Sequence, residues 1–447
     1  MSAVPAPAAA PAAAAVVAPA PAAPAGRAAP RVRHLAQLAL LASAQFVVML
    51  DTSIVNVALP SIREDLGLSA TGVTWVVNAY VLAFAGLLLV SGRVADLFGR
   101  RAMFVAGSAI FLGGTVLASV AASGAPLIAG RVVQGIGAAA LSPAAMSLLL
   151  ITFAGTRKAR ALGVWGAASA LGGASGVAIG GLLAGGVGWR FVFLVTLPVS
   201  ALAIVAARRL LEPGATSRRR PLDAAGSATV TAAVLALAFA TLHAAEHGWT
   251  APGTVAALAV SATLGAAFIA IERQVPDPII PLEIFRSPGV GAGTALALLG
   301  GAVRASTFVL VALFLQDALA MAPSQAGLAM VPTSLTGFVF SLAVLPRVVS
   351  SWGPRRTLVA GLVVLGAGHL WIAHAPVDAG YTAGVLPGLV LVAIGVAASF
   401  TPTTMVVAGA MDRDHAGLAS GLTSTGTQIG AAIGTAVFTA VGFAADA

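Results

Sequence analysis

The chain contains no cysteine. That excludes a disulfide framework, a thiol nucleophile and a cysteine-ligated metal. Charge is also scarce: only 9% of the 447 residues are Asp, Glu, Lys or Arg. A soluble globular chain carries about 25%, so an ordinary water-soluble domain is excluded. Lys158 is the only lysine, and arginine supplies the rest of the positive charge. No G-x-x-x-x-G-K-[ST] phosphate loop occurs, so ATP drive has no support in the sequence. No cluster of His and carboxylates and no Ser–His spacing points to an enzyme. His243, His369 and His374 are scattered and offer no metal set.

What is present is apolar. Hydrophobic residues make up 59%, and the mean hydropathy is +0.98. Glycine is abundant at 51 residues, as close-packed helices in lipid allow. The formal charge of +9 raises the question of nucleic acid. Its placement argues against that partner, because the basic residues fall in short clusters between apolar runs. A helix needs about 20 apolar residues to cross a bilayer. Such runs lie at 35–58, 72–91, 102–122, 126–150, 162–186, 190–211, 223–243, 253–271, 290–316, 325–347, 357–374, 381–410 and 417–445. The pattern predicts an all-α integral membrane protein of about 13 transmembrane helices.

Residues 1–34 are rich in Ala and Pro. Repeated proline forbids a helix there and predicts a disordered tail. A signal peptide needs a basic start and a clean apolar core. Here the first basic residue is Arg27, near the end of the tail. Cytoplasmic loops collect Arg and Lys. With the N-terminus inside, 20 of the 24 basic residues fall on the cytoplasmic side. Arg63 and Arg190 fall outside, and Arg131 and Arg304 fall within spans.

The chain also repeats itself at long range. RVADLFGRR (93–101) matches RVVSSWGPR (347–355), and IGAAALSPAAM (136–146) resembles IGVAASFTPTTM (394–405). ALGVWG (161–166) resembles AGLASG (416–421). The pairs fall at corresponding places in two six-span halves if spans 7 and 8 are an inserted central pair. Parallel halves of this kind are the build of a transporter whose site lies between them.

These segments carry a family resemblance over about residues 35–447. LDTSIVNVALP (50–60), GRVADLFGRR (92–101), RVVQGIGAAALSP (131–143), SGVAIGG (175–181) and WRFVFLVTLP (189–198) resemble motifs of the major facilitator superfamily. The closest resemblance is to its fourteen-span drug:proton antiporter branch. The resemblance implies a two-half helical bundle. A six-helix half would occupy 35–211, a central linker with two inserted helices 212–288, and a second half 289–447. Three departures stand out. Leu97 follows Asp96 where the family has a basic residue, and Val177 stands where it has proline. The third is the count: about thirteen spans precede Ala447, so the second half is expected to lack its last helix.

Asp51 is the most informative single residue. A carboxylate at membrane depth costs roughly 2.5–3.5 kcal/mol on insertion scales, and such residues mark pathways or relays. Low dielectric disfavours the charged form of a carboxylate, and a site that loads and unloads a proton needs that poise. A permanent pairing with Thr52, Asn56 or an arginine is the other reading. Arg131 is always charged and either couples to a carboxylate or snorkels to the outer headgroups. Gln134 lies one turn on, on the same face. Asn56, Asn78, Tyr80, Gln134 and Arg304 are the candidates for the substrate cavity. Arg304 would bind an anionic substrate or pair internally.

Gly92, Asp96, Gly99, Arg100 and Arg101 form a short cytoplasmic turn, which by the resemblance is a gating latch between the halves. Asp96 can accept from helix-start amides or from Arg. Gly172, Gly176 and Gly180 form one four-residue lane in span 5, with Gly181 starting another. Gly426, Gly430 and Gly434 form a lane in span 13. Small residues at this spacing let helices approach closely, and the resemblance puts these lanes at the seam that opens.

The reading is a secondary active transporter of the plasma or inner membrane, with a cytoplasmic N-terminus. It would act as a monomer, with no cofactor and a proton gradient as driving force. It would export amphiphilic drugs or a secreted metabolite by proton antiport. Scarce intramembrane charge favours apolar or cationic compounds over sugars or polyanions. Nutrient uptake on the same fold and a transport-dead membrane sensor are the alternatives. Because the chain has no cysteine, orientation is directly testable. Thr216→Cys in intact cells is expected to resist an impermeant maleimide and to react once the membrane is opened. Labelling in intact cells would reverse the orientation.

Overall fold

The computed structural model describes residues 30–212, 223–376, 379–411 and 415–445. Of the tail expected at 1–34, residues 1–29 lie outside the described residues, while 30–34 are helical, since Pro30 sits in the first turn where a proline is tolerated; Thr216, Arg218, Arg219, Arg220 and Arg413 also lie outside. Every described element is helical. They are α1 (Pro30–Leu66), α2 (Ala70–Phe98), α3 (Arg100–Ser119), α4 (Gly124–Thr152), α5 (Thr156–Gly186), α6 (Arg190–Leu194), α7 (Leu197–Leu210), α8 (Ala224–His247) and α9 (Pro252–Glu272). After a 3-10 turn come α10 (Pro288–Asp317), α11 (Pro323–Ala329), α12 (Val331–Val339), α13 (Leu345–Ala373), α14 (Leu386–Gly409) and α15 (Ala416–Ala445). Eleven stretches among the described residues are long and apolar enough to cross a membrane.

Helix ends follow local chemistry. The Ser69 hydroxyl accepts from the Gly72 amide at 3.1 Å and caps α2. Asp223 accepts from Gly226 at 2.8 Å and caps α8. Pro252, Pro288 and Pro323 sit in first turns, where a missing N–H costs nothing. Two expected spans are interrupted. The 190–211 stretch breaks into α6 and α7 because Pro198 cannot donate to the preceding turn. The 325–347 stretch contains α11, α12 and a wide five-residue turn at Phe340–Val344. The apolar stretch Gln325–Ala373 reverses at Gly353, whose φ of 78° ends one leg before Pro354 starts the next. In contrast, α1 runs through Pro60 to Leu66, as proline-containing helices in membrane bundles can.

The packing repeats. α3 lies along α4, and α13 along α14; α1 lies along α5, and α10 along α15. Further crossings join the sets, chiefly α2 with α15 and α5 with α12, while α4 also meets α15 and α5 also meets α13. The α8–α9 pair packs beside α2, with α8 also touching α15. The sequence repeat has a geometric counterpart. Gly99 (φ 101°) and Gly353 (φ 78°) are matched residues, and both take the positive φ that lets the chain turn directly into the next helix.

The glycine lanes face a different partner from the expected one. A Cβ on Gly176 would lie 2.7 Å from Ser53 Cβ and 2.9 Å from the Leu50 carbonyl, both on α1. The lane of Gly172, Gly176 and Gly180 therefore seats α5 on α1. Gly426, Gly430 and Gly434 seat α15 on α10 in the same way. Gly181 makes only an outlying contact, 4.0 Å from Val57. The cross-set contact of α5 runs instead through Gly163, against the Ser341 carbonyl and Pro346. The lanes are close-packed joints inside each set, because the helix in direct register with their spacing is the one in the same set.

Candidate functional site

Four helices bring their polar residues to one buried point. Asp51 comes from α1, Thr115 from α3, and Arg131 and Gln134 from α4; α2 contributes Tyr80 and the Val76 carbonyl. Asp51, Thr115 and Gln134 are fully buried, and Arg131 is 1% exposed. Arg131 Nη1 donates to Asp51 Oδ2 at 2.6 Å and to Gln134 Oε1 at 2.9 Å. Gln134 Nε2 donates to Asp51 Oδ1 at 2.9 Å and to Thr115 Oγ1 at 2.9 Å. Arg131 Nε donates to the Val76 carbonyl at 3.1 Å. The guanidinium lies 4.3 Å over the Tyr80 ring, a favourable cation–π placement. Both carboxylate oxygens are thus engaged, and the cluster is neutral as a whole.

This arrangement gives each of these residues its partner. Arg131 turns inward to Asp51 and does not snorkel. Asp51 pairs with Arg131 across 80 positions of sequence, while Thr52 donates to its own helix at Val48. Gln134 and Tyr80 were cavity candidates and stand instead inside the charge cluster, because the i to i+3 step on α4 points Gln134 at the same carboxylate as Arg131. Asn56 is exposed on α1 and Asn78 is half-buried on α2; neither joins the cluster. Thr115 was missed. Its hydroxyl faces α4 only because α3 packs there, and nothing local in the sequence marks it.

The second constellation is at the far end of α2. Asp96 Oδ1 accepts from Arg100 Nη2 at 2.7 Å and from the Gly417 amide at 3.0 Å; Oδ2 accepts from the Leu418 amide at 2.9 Å. One carboxylate therefore caps the start of α15, where free amides and the helix dipole favour negative charge. Gly92 makes the approach possible: a Cβ there would lie 2.5 Å from the Gly417 carbonyl. Gly99 supplies the turn to α3. Arg101 donates to the Arg208 carbonyl at 2.8 Å, tying α3 to the end of α7. Leu97, in the place of the family's basic residue, is buried.

Arg304 belongs to neither group. It lines a narrow cavity bounded by α10, α13, α14 and α15. Its guanidinium lies 5.1 Å from the centre of the Phe400 ring.

A bundle of long apolar helices with an ion pair sealed in its interior is the build of a membrane transporter. A profile of the Major Facilitator Superfamily matches residues 41–435, and the chain belongs to that family. It is 38% identical over 403 residues to a cephamycin export protein of Amycolatopsis lactamdurans, covering 89% of this chain and 82% of that one. It is 34% identical to a puromycin resistance protein of Streptomyces alboniger, covering 88% and 78%. It is 36% identical to a probable actinorhodin transporter of Streptomyces coelicolor, covering 88% and 69%. Among solved structures, a human organic anion transporter superposes with a TM-score of 0.64 at 17% identity, covering 92% of this chain and 93% of that one. A proton:xylose symporter gives 0.63 at 12% identity, covering 93% and 90%. At those identities the two structures speak for the fold.

The charge cluster predicts a non-additive mutant cycle. Arg131→Met leaves the Asp51 carboxylate buried without its cation, which typically costs about 3–5 kcal/mol. Combining it with Asp51→Leu removes both charges and is expected to recover much of the loss in thermal stability. Losses that simply add would mean that the two side chains act independently.

Proposed function

We propose that the chain exports amphiphilic drugs or a secreted metabolite across the cell membrane in exchange for protons. The observation that carries this is the sealed Asp51–Arg131–Gln134 cluster. Its setting supports the direction of transport, since relatives spanning most of the chain carry export and antibiotic-resistance names. The halves are residues 35–211 and 289–447, joined by a 212–288 linker that contributes α8 and α9. Counting Gln325–Ala373 as two legs about Gly353 and adding α15 brings the eleven crossing stretches to thirteen. Thirteen crossings over these residues are in keeping with the fourteen-span drug:proton branch. The arginine distribution places the N-terminus in the cytoplasm, and the protein works as a monomer.

The cycle follows from the electrostatics. With Asp51 charged, the ion pair holds α1, α2 and α4 together. A proton arriving at Asp51 cancels the carboxylate charge and frees Arg131, which stays charged. The helices around it then lose their shared tie and can rearrange. The Asp96 cap on α15 holds the cytoplasmic end of α2 closed until that happens. Substrate enters the space between the halves when the cap opens, and proton and substrate occupy the protein in alternation. The chain needs no bound cofactor for this, because the proton gradient supplies the drive.

Asp51→Asn is isosteric and keeps an acceptor, but it leaves the buried Arg131 charge without its partner, so a lowered melting temperature is expected and transport is compared at equal amounts of folded protein. Ethidium uptake driven by a pH gradient into inverted vesicles is expected to vanish. Wild-type ethidium transport by the Asn variant would contradict the proposed role of Asp51.

A further inference from the structure

Arg304 is the intramembrane cation that the export cycle leaves unused. It sits on α10, thirteen residues before Asp317 and sixteen after Pro288. At 1.5 Å per residue it is about 20 Å or more from either end of the helix. That exceeds the reach of a snorkelling side chain. An arginine does not escape burial by losing its proton, so a guanidinium at this depth calls for a counter-charge. Arg131 has Asp51. Among the described residues no carboxylate lies against Arg304; its recorded neighbour is the face of Phe400.

The cavity around it has two kinds of wall. One is hydroxylic: Ser399, Thr403, Thr404, Thr423 and Thr427. Each hydroxyl donates to a carbonyl of its own helix, at 2.7–3.4 Å. Those carbonyls already accept in the helix ladder, and a hydroxyl rotates freely about its C–O bond. The protons are therefore available to turn toward an anion. The other wall is apolar, built from Leu296, Leu362, Leu365 and Val396. In this structure the cavity holds about 30 Å³, so one fixed cation and a set of adjustable donors suit a single anionic head there, and an apolar body would extend past the apolar wall once the helices part. A dianion would bring uncompensated charge, since Arg304 is the only charged residue in the lining.

We propose that the Arg304 cavity binds the carboxylate of an amphiphilic monoanion. This adds organic monoanions to the compounds the exporter carries, and it rests on the export reading above. It also revises the expectation of apolar or cationic substrates, which counted intramembrane charges without knowing which of them were paired.

The test uses purified full-length protein and two fluorescent probes of nearly equal shape, dansyl-phenylalanine and its primary amide. A charge-assisted contact replaces a neutral one, so the wild type is expected to bind the acid roughly ten- to a hundredfold more tightly than the amide. Arg304→Gln is expected to erase that preference, and Arg304→Lys to keep part of it. Should the Gln variant fail to fold in a melting assay, Thr427→Val decides: it should weaken the acid and leave the amide unchanged. The proposal is overturned if the wild type fails to bind the acid or binds both probes equally. It is also overturned if the preference survives in a folded Gln variant, or if Thr427→Val, used to decide, affects both probes alike. Ethidium export by the wild type is measured separately. Its absence would undo the export reading while leaving the binding result to stand on its own.

Discussion

A carboxylate and a guanidinium held 2.6 Å apart without solvent set the terms for this protein. In low dielectric neither charge is tolerable alone, and together they are stable only if every remaining polar atom nearby is satisfied. Gln134 bridges the two side chains, Thr115 accepts from Gln134, and the Val76 carbonyl takes the guanidinium's third contact. Four helices are committed to one point. Among them α2 has a second task. Near one end it meets Arg131 through Val76 and Tyr80, and at the other it carries Asp96, which caps α15. A change at Asp51 is thus connected by one rigid helix to the contact that joins the two sets of helices.

The internal repeat supplies the frame on which this asymmetry is built. Gly172, Gly176 and Gly180 bring α5 onto α1 as Gly426, Gly430 and Gly434 bring α15 onto α10. Pro143 and Pro402 interrupt matched helices. The charges do not repeat. Ser350 stands in the place matched to Asp96, and at that crossing Pro346 simply packs on Gly163. Among the described residues the second set has no counterpart of the Asp51–Arg131 pair, and Arg304, deep in α10, faces hydroxyls and an aromatic ring. Equivalent scaffolds therefore carry different electrostatics, which suits a machine in which one half titrates and the other holds cargo.

Much of this was legible in the sequence because membrane insertion leaves coarse marks. Twenty-residue apolar runs mark the helices. Asp51, Arg131 and Asp96 were conspicuous as charges placed where charge is costly, and glycines at four-residue spacing announced close packing. Partners were less legible. Tyr80 and Gln134 read as cavity residues because sequence gives the face of a helix but not what the face meets. Thr115 was invisible for the same reason. The glycine lanes were assigned to the wrong neighbour, since spacing reports that backbones approach and not which ones. The break at Pro198 and the wide turn at Phe340–Val344 turned expected single spans into articulated ones.

The central claim is that Asp51 exchanges its proton when substrate binds. Proton release on binding tests it most directly. Ethidium is titrated calorimetrically into the purified protein in buffers of differing ionisation heat, near neutral pH. The slope of apparent heat against buffer heat counts protons. With the titration repeated toward acid pH, the account predicts proton release that is small while Asp51 is ion-paired and rises toward about one per ethidium as acid protonates it, and none from Asp51→Asn at any pH. Binding without proton release in the wild type even at acid pH, or equal release from the Asn variant, would contradict it.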